Sequence, residues 1–474
     1  MTRARKLVVF GLAALAAVMV FIAVGLGKLL DTNALKARLQ ATASQALGLE
    51  VDVAGSLALA FRPGLTVTLN DVHVRSRNAD VVIARQARIA VDLMSLLRQE
   101  VRMGRIELSQ ATIVIARDRS GRFNFENTQA EGQALPARDW PSVTVTDSAI
   151  TYADERFGSR IEASDCRVDV QGLRHAGGPR ASLASGLSFT AALACAQVRK
   201  DRFSAADLKF TAAAKGGLID LKPLTASVFG TAGSGRARVD FSKPVPAYRI
   251  VYTMPQFPVE AFFEAMAMKP MATGRMDFAA DLSTQGKSPK DLQQGLAGTL
   301  SLRAKGLTFN GGDLDREFER FESSQTFDLV DIGAVFFAGP VGLLVTKGYD
   351  FARLGRGAPG RSEIRTLVSD WKVEQGVAQA QDVALVTKEN RLALRGGLDL
   401  VNERFDGLSI ALVDAKGCAK VRQQMRGSFQ APAVDKPSAL AALTGPALRL
   451  LKKGSDALRG EQCEVFYAGS VATP

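Results

Sequence analysis

Few side chains in this sequence have the chemistry of an active site. The 474 residues include two histidines and four cysteines. His73 lies in an alternating, strand-like segment and His175 in a glycine-containing loop, and neither is near a cysteine or a carboxylate cluster. General acid–base catalysis and zinc binding both require such residues in clusters. We therefore expect a protein that is not an enzyme, that uses no cofactor and that binds no metal.

Two other segments could be taken for sites. Residues 230–235, Gly-Thr-Ala-Gly-Ser-Gly, lack the lysine and the helix that a phosphate-binding loop needs. Neither a G-x-S-x-G nor an H-E-x-x-H motif occurs, which leaves an undetected hydrolase as the enzymatic alternative. An acidic cluster alternates with Arg316 and Arg320, which predicts a solvated helix face and not a cation site. Its members are Asp313, Asp315, Glu317, Glu319 and Glu322.

The cysteines favour disulfides over a metal site. Cys166, Cys195, Cys418 and Cys463 are even in number and lack C-x-x-C spacing. In an exported protein this pattern indicates structural disulfides. Three pairings are possible, and we prefer the local pairs Cys166 with Cys195 and Cys418 with Cys463. Free buried thiols are the alternative.

The uncharged run 7–27 predicts where the chain lies relative to a membrane. Its roughly 21 residues would span about 30 Å as a helix, the thickness of a bilayer's hydrocarbon core. Arg3, Arg5 and Lys6 precede it, so the N-terminus is expected in the cytoplasm and the rest across the membrane. A cleaved signal peptide is the alternative, but no clean A-x-A site follows. The predicted anchor residues are Leu7, Phe10, Leu15, Val20, Ile22 and Leu26.

Charge and composition fit an exported sheet protein. The formal charge is +12, yet no basic block with interleaved aromatic residues occurs. An exported domain does not meet nucleic acid, so attraction to anionic lipid head groups is the better interpretation. Aromatic residues make up only 7% of the chain and glycine contributes 43 residues, which is typical of sheets and not of a dense globule.

The hydrophobic period predicts a mainly β protein. A helix is expected from the capping residues 31–33 to Gly48, after which the period changes from 3.6 to 2. The phase of the alternation flips at Asp71, as at a β-bulge. Residues 259–268, between Pro258 and Pro270, predict a short helix.

Two segments depart from this pattern. The apolar stretch 332–345 is too short to span a bilayer, so it predicts either a hairpin inserted in a groove or membrane surface, or a buried strand pair. The helix-prone stretch 439–458 predicts a cap for the sheet or a lipid contact. The tail 463–467 is predicted to form a final strand.

Several motifs resemble those of a known family. Near the N-terminus they are residues 93–101, the triplet 106–108 and the turn 118–126, in which Phe125 stands where the family usually has tryptophan. Towards the C-terminus they are residues 371–377, 382–385, 395–400 and 426–429 with Pro432. These segments resemble the AsmA family.

The resemblance implies an inner-membrane-anchored periplasmic protein of the bridge-like lipid-transfer superfamily. The implied fold is an N-terminal transmembrane helix followed by an elongated, curved, groove-like antiparallel β-sheet with a few capping helices. We expect a cytoplasmic tip and anchor (1–30), an AsmA-like N-terminal region (31–130), a middle β-groove (131–300) and an AsmA-like C-terminal region (301–474). Alternation by itself would fit a closed sandwich equally well.

The implied function is the handling of phospholipid between the inner and outer membranes, in support of outer-membrane lipid homeostasis and assembly. Expected partners are phospholipids, the inner membrane, and outer-membrane or periplasmic proteins. The alternative function is a periplasmic scaffold for assembly of outer-membrane proteins, which would pair client strands with its sheet edges. The predicted lipid-groove residues are Leu65, Val67, Leu69, Ala87, Ile89, Val91, Ile113, Ile115, Leu187, Phe189, Leu193, Leu300, Leu302, Leu392 and Leu394.

Overall fold

The computed structural model of the chain confirms a mainly β protein. It describes residues 32–60, 65–77, 79–91, 103–126, 137–177, 183–201, 203–265, 269–324, 360–435 and 465–474. The chain divides into two compact units, Met1–Asp201 and Arg202–Pro474. The four regions expected from the sequence stay a prediction.

In the described residues, the first unit is a sheet against which helix α1 packs. Strands β1 and β2 both pair with β3, and the order then runs β3–β4–β5–β7–β8–β9, with β6 beside β8. The elements are α1 Thr32–Leu47, β1 Glu50–Val53, β2 Leu57–Ala60, β3 Leu65–Ser76, β4 Ala79–Val91, β5 Met103–Arg117, β6 Arg138–Asp139, β7 Val143–Asp154, β8 Ser159–His175, α2 Leu183–Gly186 and β9 Leu187–Lys200.

One strand pair corrects the expectation of a purely antiparallel sheet. Strands β5 and β7 are parallel, in a register that runs from Ile106 opposite Val143 to Arg117 opposite Asp154. A parallel neighbour needs a connection of a dozen or more residues. The segment between Arg117 and Val143 is long enough to return the chain to the starting end of β5, so β7 runs in the same direction.

Helix α1 confirms the predicted first helix and covers one end of this sheet. Gly48 follows it with a φ of 70°, the left-handed conformation that ends helices. Ser44 accepts two hydrogen bonds at the end of the helix. Its carbonyl accepts from Gly48 N at 2.8 Å, and its hydroxyl accepts from Val51 N of β1 at 2.9 Å. Leu39 is buried against the sheet, and Lys36 donates to the Gly55 carbonyl at 3.1 Å. Helix α1 therefore caps this end of the sheet.

Left-handed residues interrupt the strands of this sheet. Asp71 has a φ of 56°, which confirms the predicted bulge, and Gln110, Asp147 and Asp165 have φ values of 51–52° in β5, β7 and β8. Such a residue reverses the phase of the alternation. As a result Leu69 and Val72, three positions apart, are both buried in the same apolar cluster. Each strand thus keeps one apolar side along its length.

The second unit is an antiparallel sheet, and its described residues include three short helices. Its strand order is β10–β11–β12–β13–β15–β16–β17–β18–β19–β20–β21–β22, with β14 beside β16. The elements are β10 Phe203–Lys215, β11 Leu218–Val228, β12 Thr231–Asp240, β13 Ala247–Pro258, α3 Val259–Ala265, β14 Ala272–Thr273, β15 Arg275–Gln285, α4 Pro289–Gln294, β16 Ala297–Phe309, α5 Leu314–Ser324, β17 Ser362–Glu374, β18 Val377–Val386, β19 Arg391–Asp399, β20 Arg404–Val413, β21 Ala419–Gly427 and β22 Pro432–Val434.

The largest core of the described residues lies on strands β13–β21. Phe262 of α3 and Phe318 of α5 are buried in it, so both helices cover one face of the sheet. The opposite face of β17–β20 packs against Phe466 and Tyr467 of the C-terminal segment 465–474. These strands are therefore buried on both faces.

Two helix predictions are confirmed in kind and corrected in detail. The helix predicted at 259–268 is α3, which is described as far as Ala265. The acidic cluster does form a helix, α5, but its face is not wholly solvated, because Glu317 is buried. Asp315 accepts hydrogen bonds from Thr387 and from Asn390, the latter at 2.9 Å. The acidic side chains on the side of α5 that faces the sheet are less exposed to water, so they need hydrogen-bond partners from the protein.

Several predicted elements lie outside the described residues. They are the anchor at 7–27, the apolar stretch 332–345, the helix-prone stretch 439–458 and Cys463. Within the part of the chain that the structure describes, no helix is long and apolar enough to cross a membrane.

Candidate functional site

A registered apolar row crosses the first unit. Leu69, Ala87, Leu108, Val145, Val168 and Leu193 lie directly opposite one another on six neighbouring strands. Opposed residues share a face of the sheet, so this row forms a continuous apolar strip. The next row on the same strands is polar, with Thr68 opposite Arg88 and Arg88 opposite Glu107. The sheet is therefore two-sided, as the alternation predicts.

Coverage of this apolar strip decreases along the strand order. Val67, Leu69, Ala87 and Ile89 are buried in a cluster that includes Leu39 of α1. On β8 and β9 the strip is only half buried, at residues that include Val168, Phe189 and Leu193. Part of the apolar face is thus accessible to solvent.

The predicted groove residues fall into two sets by burial. The buried set comprises Val67, Leu69, Ala87, Ile89, Leu302, Leu392 and Leu394. The half-buried set comprises Ile113, Ile115, Leu187, Phe189, Leu193 and Leu300. Leu65 and Val91 lie opposite each other where β3 pairs with β4. Lipid contact at all of these positions stays a prediction.

A second registered row crosses the second unit and includes residues that the sequence analysis missed. It contains Leu221, Ala237, Ile250, Leu282, Gly298, Val373, Ala378 and Leu398, from β11 to β19. Ile250 is 40% exposed, whereas Val373 and Ala378 are each 1% exposed. The row therefore runs from an accessible apolar surface into a closed core. The alternation of Tyr248, Ile250 and Tyr252 in the sequence could have predicted the apolar face of β13.

Within the part of the chain that the structure describes, the cavity beside the closed part of this row is too small for an alkyl chain. This cavity, of about 20 Å³, is lined by residues that include Leu300, Leu302 and Trp371. A volume of this size holds about one water molecule. Leu392 is 0% exposed, and its neighbour Ala393, on the opposite face, is 0% exposed as well. Leu392 and Leu394 are thus core residues, and acyl-chain contact there would require the core to open.

The glycine-rich stretch 230–235 serves an aromatic side chain. Tyr252, on the neighbouring strand, lies across Gly233 and Gly235 and donates a hydrogen bond to the Ala226 carbonyl at 3.1 Å. A Cβ built on Gly233 would lie 2.2 Å from the Tyr252 hydroxyl oxygen, and one on Gly235 would lie 2.1 Å from the Val251 carbonyl oxygen. Glycine is needed because the ring and backbone occupy that space.

The two histidines do not share a site. His73 lies on β3 with its ring nitrogens 3.2 Å from Asp71 and 3.2 Å from Asp80. His175 corrects the prediction of a loop residue, because it ends β8 and is buried. Its Nδ1 accepts a hydrogen bond from Gly177 N at 3.1 Å. Among the described residues no group of three His, Cys, Asp or Glu side chains is placed to hold a metal ion.

The turn 118–126, which carries part of the family resemblance, has a structural role. Asp118 closes it by accepting hydrogen bonds from Ser120 Oγ at 2.5 Å and from Arg122 N at 2.9 Å, and these bonds lower the pKa of Asp118 to about 2. Asn124 then binds the backbone of β5, accepting from Ala116 N at 3.0 Å and donating to the Val114 carbonyl at 2.8 Å. Phe125 stacks on Phe123 with ring centroids 5.1 Å apart.

The predicted disulfide between Cys166 and Cys195 is confirmed. The two residues lie directly opposite each other on β8 and β9, with their Cα atoms 4.1 Å apart. Cys418 is also disulfide-bonded. Its predicted partner, Cys463, is not among the described residues.

The C-terminal segment is fixed to the outer face of the second unit by polar contacts. Asp382 accepts hydrogen bonds from the Tyr467 hydroxyl at 2.5 Å and from Ser470 N at 2.9 Å. Burial opposes ionisation of Asp382, but these hydrogen bonds outweigh it and lower its pKa. Burial and the same carboxylate raise the pKa of Tyr467. Arg391 donates to the Val471 carbonyl at 2.9 Å. Val465 makes only an isolated bridge with Cys418, where a final strand was predicted.

The fold and this surface define a β-sheet protein with one polar face and one apolar face that is open in part. A comparison with family models matches the AsmA family over residues 1–200 and 184–316. The chain belongs to the AsmA family. No curated protein and no solved structure matches it. The C-terminal segments that suggested the resemblance lie beyond the matched residues.

Proposed function

We propose that this protein is a non-enzymatic, inner-membrane-anchored periplasmic protein that holds phospholipid acyl chains on its apolar sheet face as lipid passes between the inner and outer membranes. Membership of the AsmA family suggests a role in outer-membrane assembly or lipid transport. The lipid role, the anchoring and the periplasmic location are the proposal. It would support lipid homeostasis and assembly of the outer membrane.

The observation that carries the proposal is the exposed apolar surface around Ile250. Ile250 is 40% exposed, between the half-buried Ala237 and Leu282 of the neighbouring strands. Covering a methylene group removes it from water and contributes about 0.8 kcal/mol. The side chains along the row are chemically alike, so an acyl chain can slide along the row while its head group stays hydrated. Such a surface needs no catalytic residue.

The short strands β1, β2 and β22 favour lipid handling over the scaffold alternative. Strands β1 and β2, which flank β3, have four residues each, and β22, at the other end of its sheet, has three and begins with Pro432. Capture of a client strand needs a long edge with free backbone groups, and short edges that contain proline prevent such pairing. These described edges are therefore poor templates for outer-membrane strands.

A photo-crosslinking experiment tests the proposal. The photoreactive residue p-benzoylphenylalanine is placed at Ile250 in the full chain, and in a matched variant at Thr253, which is exposed on the polar face of the same strand. We expect crosslinks to phospholipid from position 250 and not from position 253. Equal labelling at both positions, or crosslinks only to outer-membrane proteins, would overturn the lipid proposal.

A further inference from the structure

Four cations converge on the polar face of β11–β13, opposite the apolar row. Lys222, Arg236, Arg238 and Arg249 line a depression of about 360 Å³, together with Asp220. This volume lies within the usual range for ligand pockets. Arg238 lies directly opposite Arg249 in the β12–β13 register. Like charges placed opposite each other destabilise a sheet. The repulsion between these two arginines must therefore be offset by other groups.

Two carboxylates neutralise part of this charge. Arg238 donates to Asp220 at 2.6 and 3.2 Å, and Arg249 donates to Asp281 at 3.0 and 2.8 Å. Both are two-point contacts that fix the guanidinium groups in place. The hydrogen bonds from the arginines lower the pKa of both aspartates, so these two pairs stay ionised.

Lys222 and Arg236 leave the cluster with excess positive charge. Within the described chain neither side chain makes a hydrogen bond or an ion pair, although Lys222 lies near Asp220 and Arg236 near Asp281. Counting the four lining cations against Asp220 and Asp281, the carboxylates hydrogen-bonded to them, leaves two positive charges. Asp240, which also interacts with Arg238, lines a neighbouring depression.

We propose that this depression, the β11–β13 cation site, binds a phosphate-bearing anion. A phosphate group carries up to two negative charges and several acceptor oxygens, which match the excess charge and the donors of Lys222 and Arg236. The lining has no aromatic side chain on which a base could stack. The anion is therefore a phospholipid head group or a soluble phosphate compound.

This inference does not depend on the proposed function, because the site and the apolar row lie on opposite faces of the same strands. In β12 Arg236 and Arg238 alternate with Ala237 of the apolar row, and in β13 Arg249 and Val251 flank Ile250. A head group can therefore bind at this site whether or not acyl chains bind near Ile250.

Titration calorimetry of the purified full chain tests the site with two ligands that lack acyl chains. One is inorganic phosphate and the other is glycerophosphoglycerol, the head group of phosphatidylglycerol. The test variant is Lys222→Ser/Arg236→Ser. The matched control is Lys209→Ser/Lys305→Ser, which removes two exposed cations of the same unit that do not line the depression. We expect binding that weakens with added salt, and at least about tenfold weaker binding in the test variant only.

The two ligands separate the sources of the anion. Binding of inorganic phosphate supports the site and assigns a soluble phosphate ligand, whereas binding of glycerophosphoglycerol alone supports it and assigns a lipid head group. Failure of both ligands to bind overturns the inference, and so does equal weakening in the control variant. Retained folding of the test variant is checked by its circular dichroism. Failure here leaves the crosslinking at Ile250 unaffected, so the two proposals fail separately.

Discussion

A single charge at Ile250 should weaken lipid binding by about two orders of magnitude without unfolding the protein. Ile250→Asp places a carboxylate at the centre of the accessible part of the apolar row, between Ala237 and Leu282. Because Ile250 is 40% exposed, the carboxylate can stay hydrated in the folded protein. The same change at Ile89, which is 6% exposed, would bury the charge and destabilise the fold by several kcal/mol, so position 89 gives a poorer test.

The size of the effect follows from the strand spacing. Neighbouring strands are about 4.8 Å apart, so an alkyl chain that crosses from β11 to β15 runs over about 15 Å of the row. A hydrated carboxylate at the centre would exclude roughly four methylene groups from contact. At about 0.8 kcal/mol for each methylene, the loss is about 3 kcal/mol, or about two orders of magnitude in affinity.

The assay is titration with a fluorescent phospholipid, together with mass spectrometry of phospholipid that copurifies with the full chain. The matched control is Thr253→Asp, which adds the same charge to the polar face of β13. We expect lipid binding to fall in Ile250→Asp and to persist in the control. If both variants bind lipid like the unmodified protein, the apolar row is not the lipid surface and the reasoning is refuted.

Three further predictions concern stability. Gly235→Ala should lower the free energy of unfolding by about 1–3 kcal/mol in thermal denaturation, because its Cβ would lie 2.1 Å from the Val251 carbonyl oxygen. Asn124→Ala removes two hydrogen bonds to β5 and should cost about 1–2 kcal/mol and speed local hydrogen exchange. The folded-state pKa of Asp382 lies below its ordinary value of 3.8, so its stabilisation is present above that pH and is lost as the pH falls through the folded-state pKa. A lower protection factor for exchange of the Ser470 amide in acid, and no such change in Asp382→Asn, would show it.

Controls for these predictions lie close to each site. Ser234→Ala, beside Gly235 and exposed, should leave the free energy of unfolding nearly unchanged. Arg119→Ala, exposed in the same turn as Asn124, should leave exchange in β5 unchanged. If Gly235→Ala and Ser234→Ala unfold at the same temperature, the close packing of Tyr252 on β12 would not be what requires glycine.

Local pattern was enough to predict much of the fold. The helix that ends at Gly48, the bulge at Asp71 and the short helix after Pro258 all depend on residues close together in sequence, and each is present. The Cys166–Cys195 pairing was predictable because the two cysteines are near in sequence and belong to adjacent strands. Period-2 alternation likewise fixes which side of each strand is apolar.

What covers each apolar side was decided by the tertiary structure. Ile250 and Leu392 both occupy apolar positions of alternating strands, yet one is 40% exposed and the other is 0% exposed. Alternation describes a strand's own two faces and carries no information about the helices or the C-terminal segment that pack on them. The parallel pairing of β5 with β7, and the meeting of Lys222 with Arg236, depend in the same way on register between distant segments. Local sequence pattern therefore specifies a mainly β chain with two-sided strands, and long-range packing specifies where the apolar side stays open.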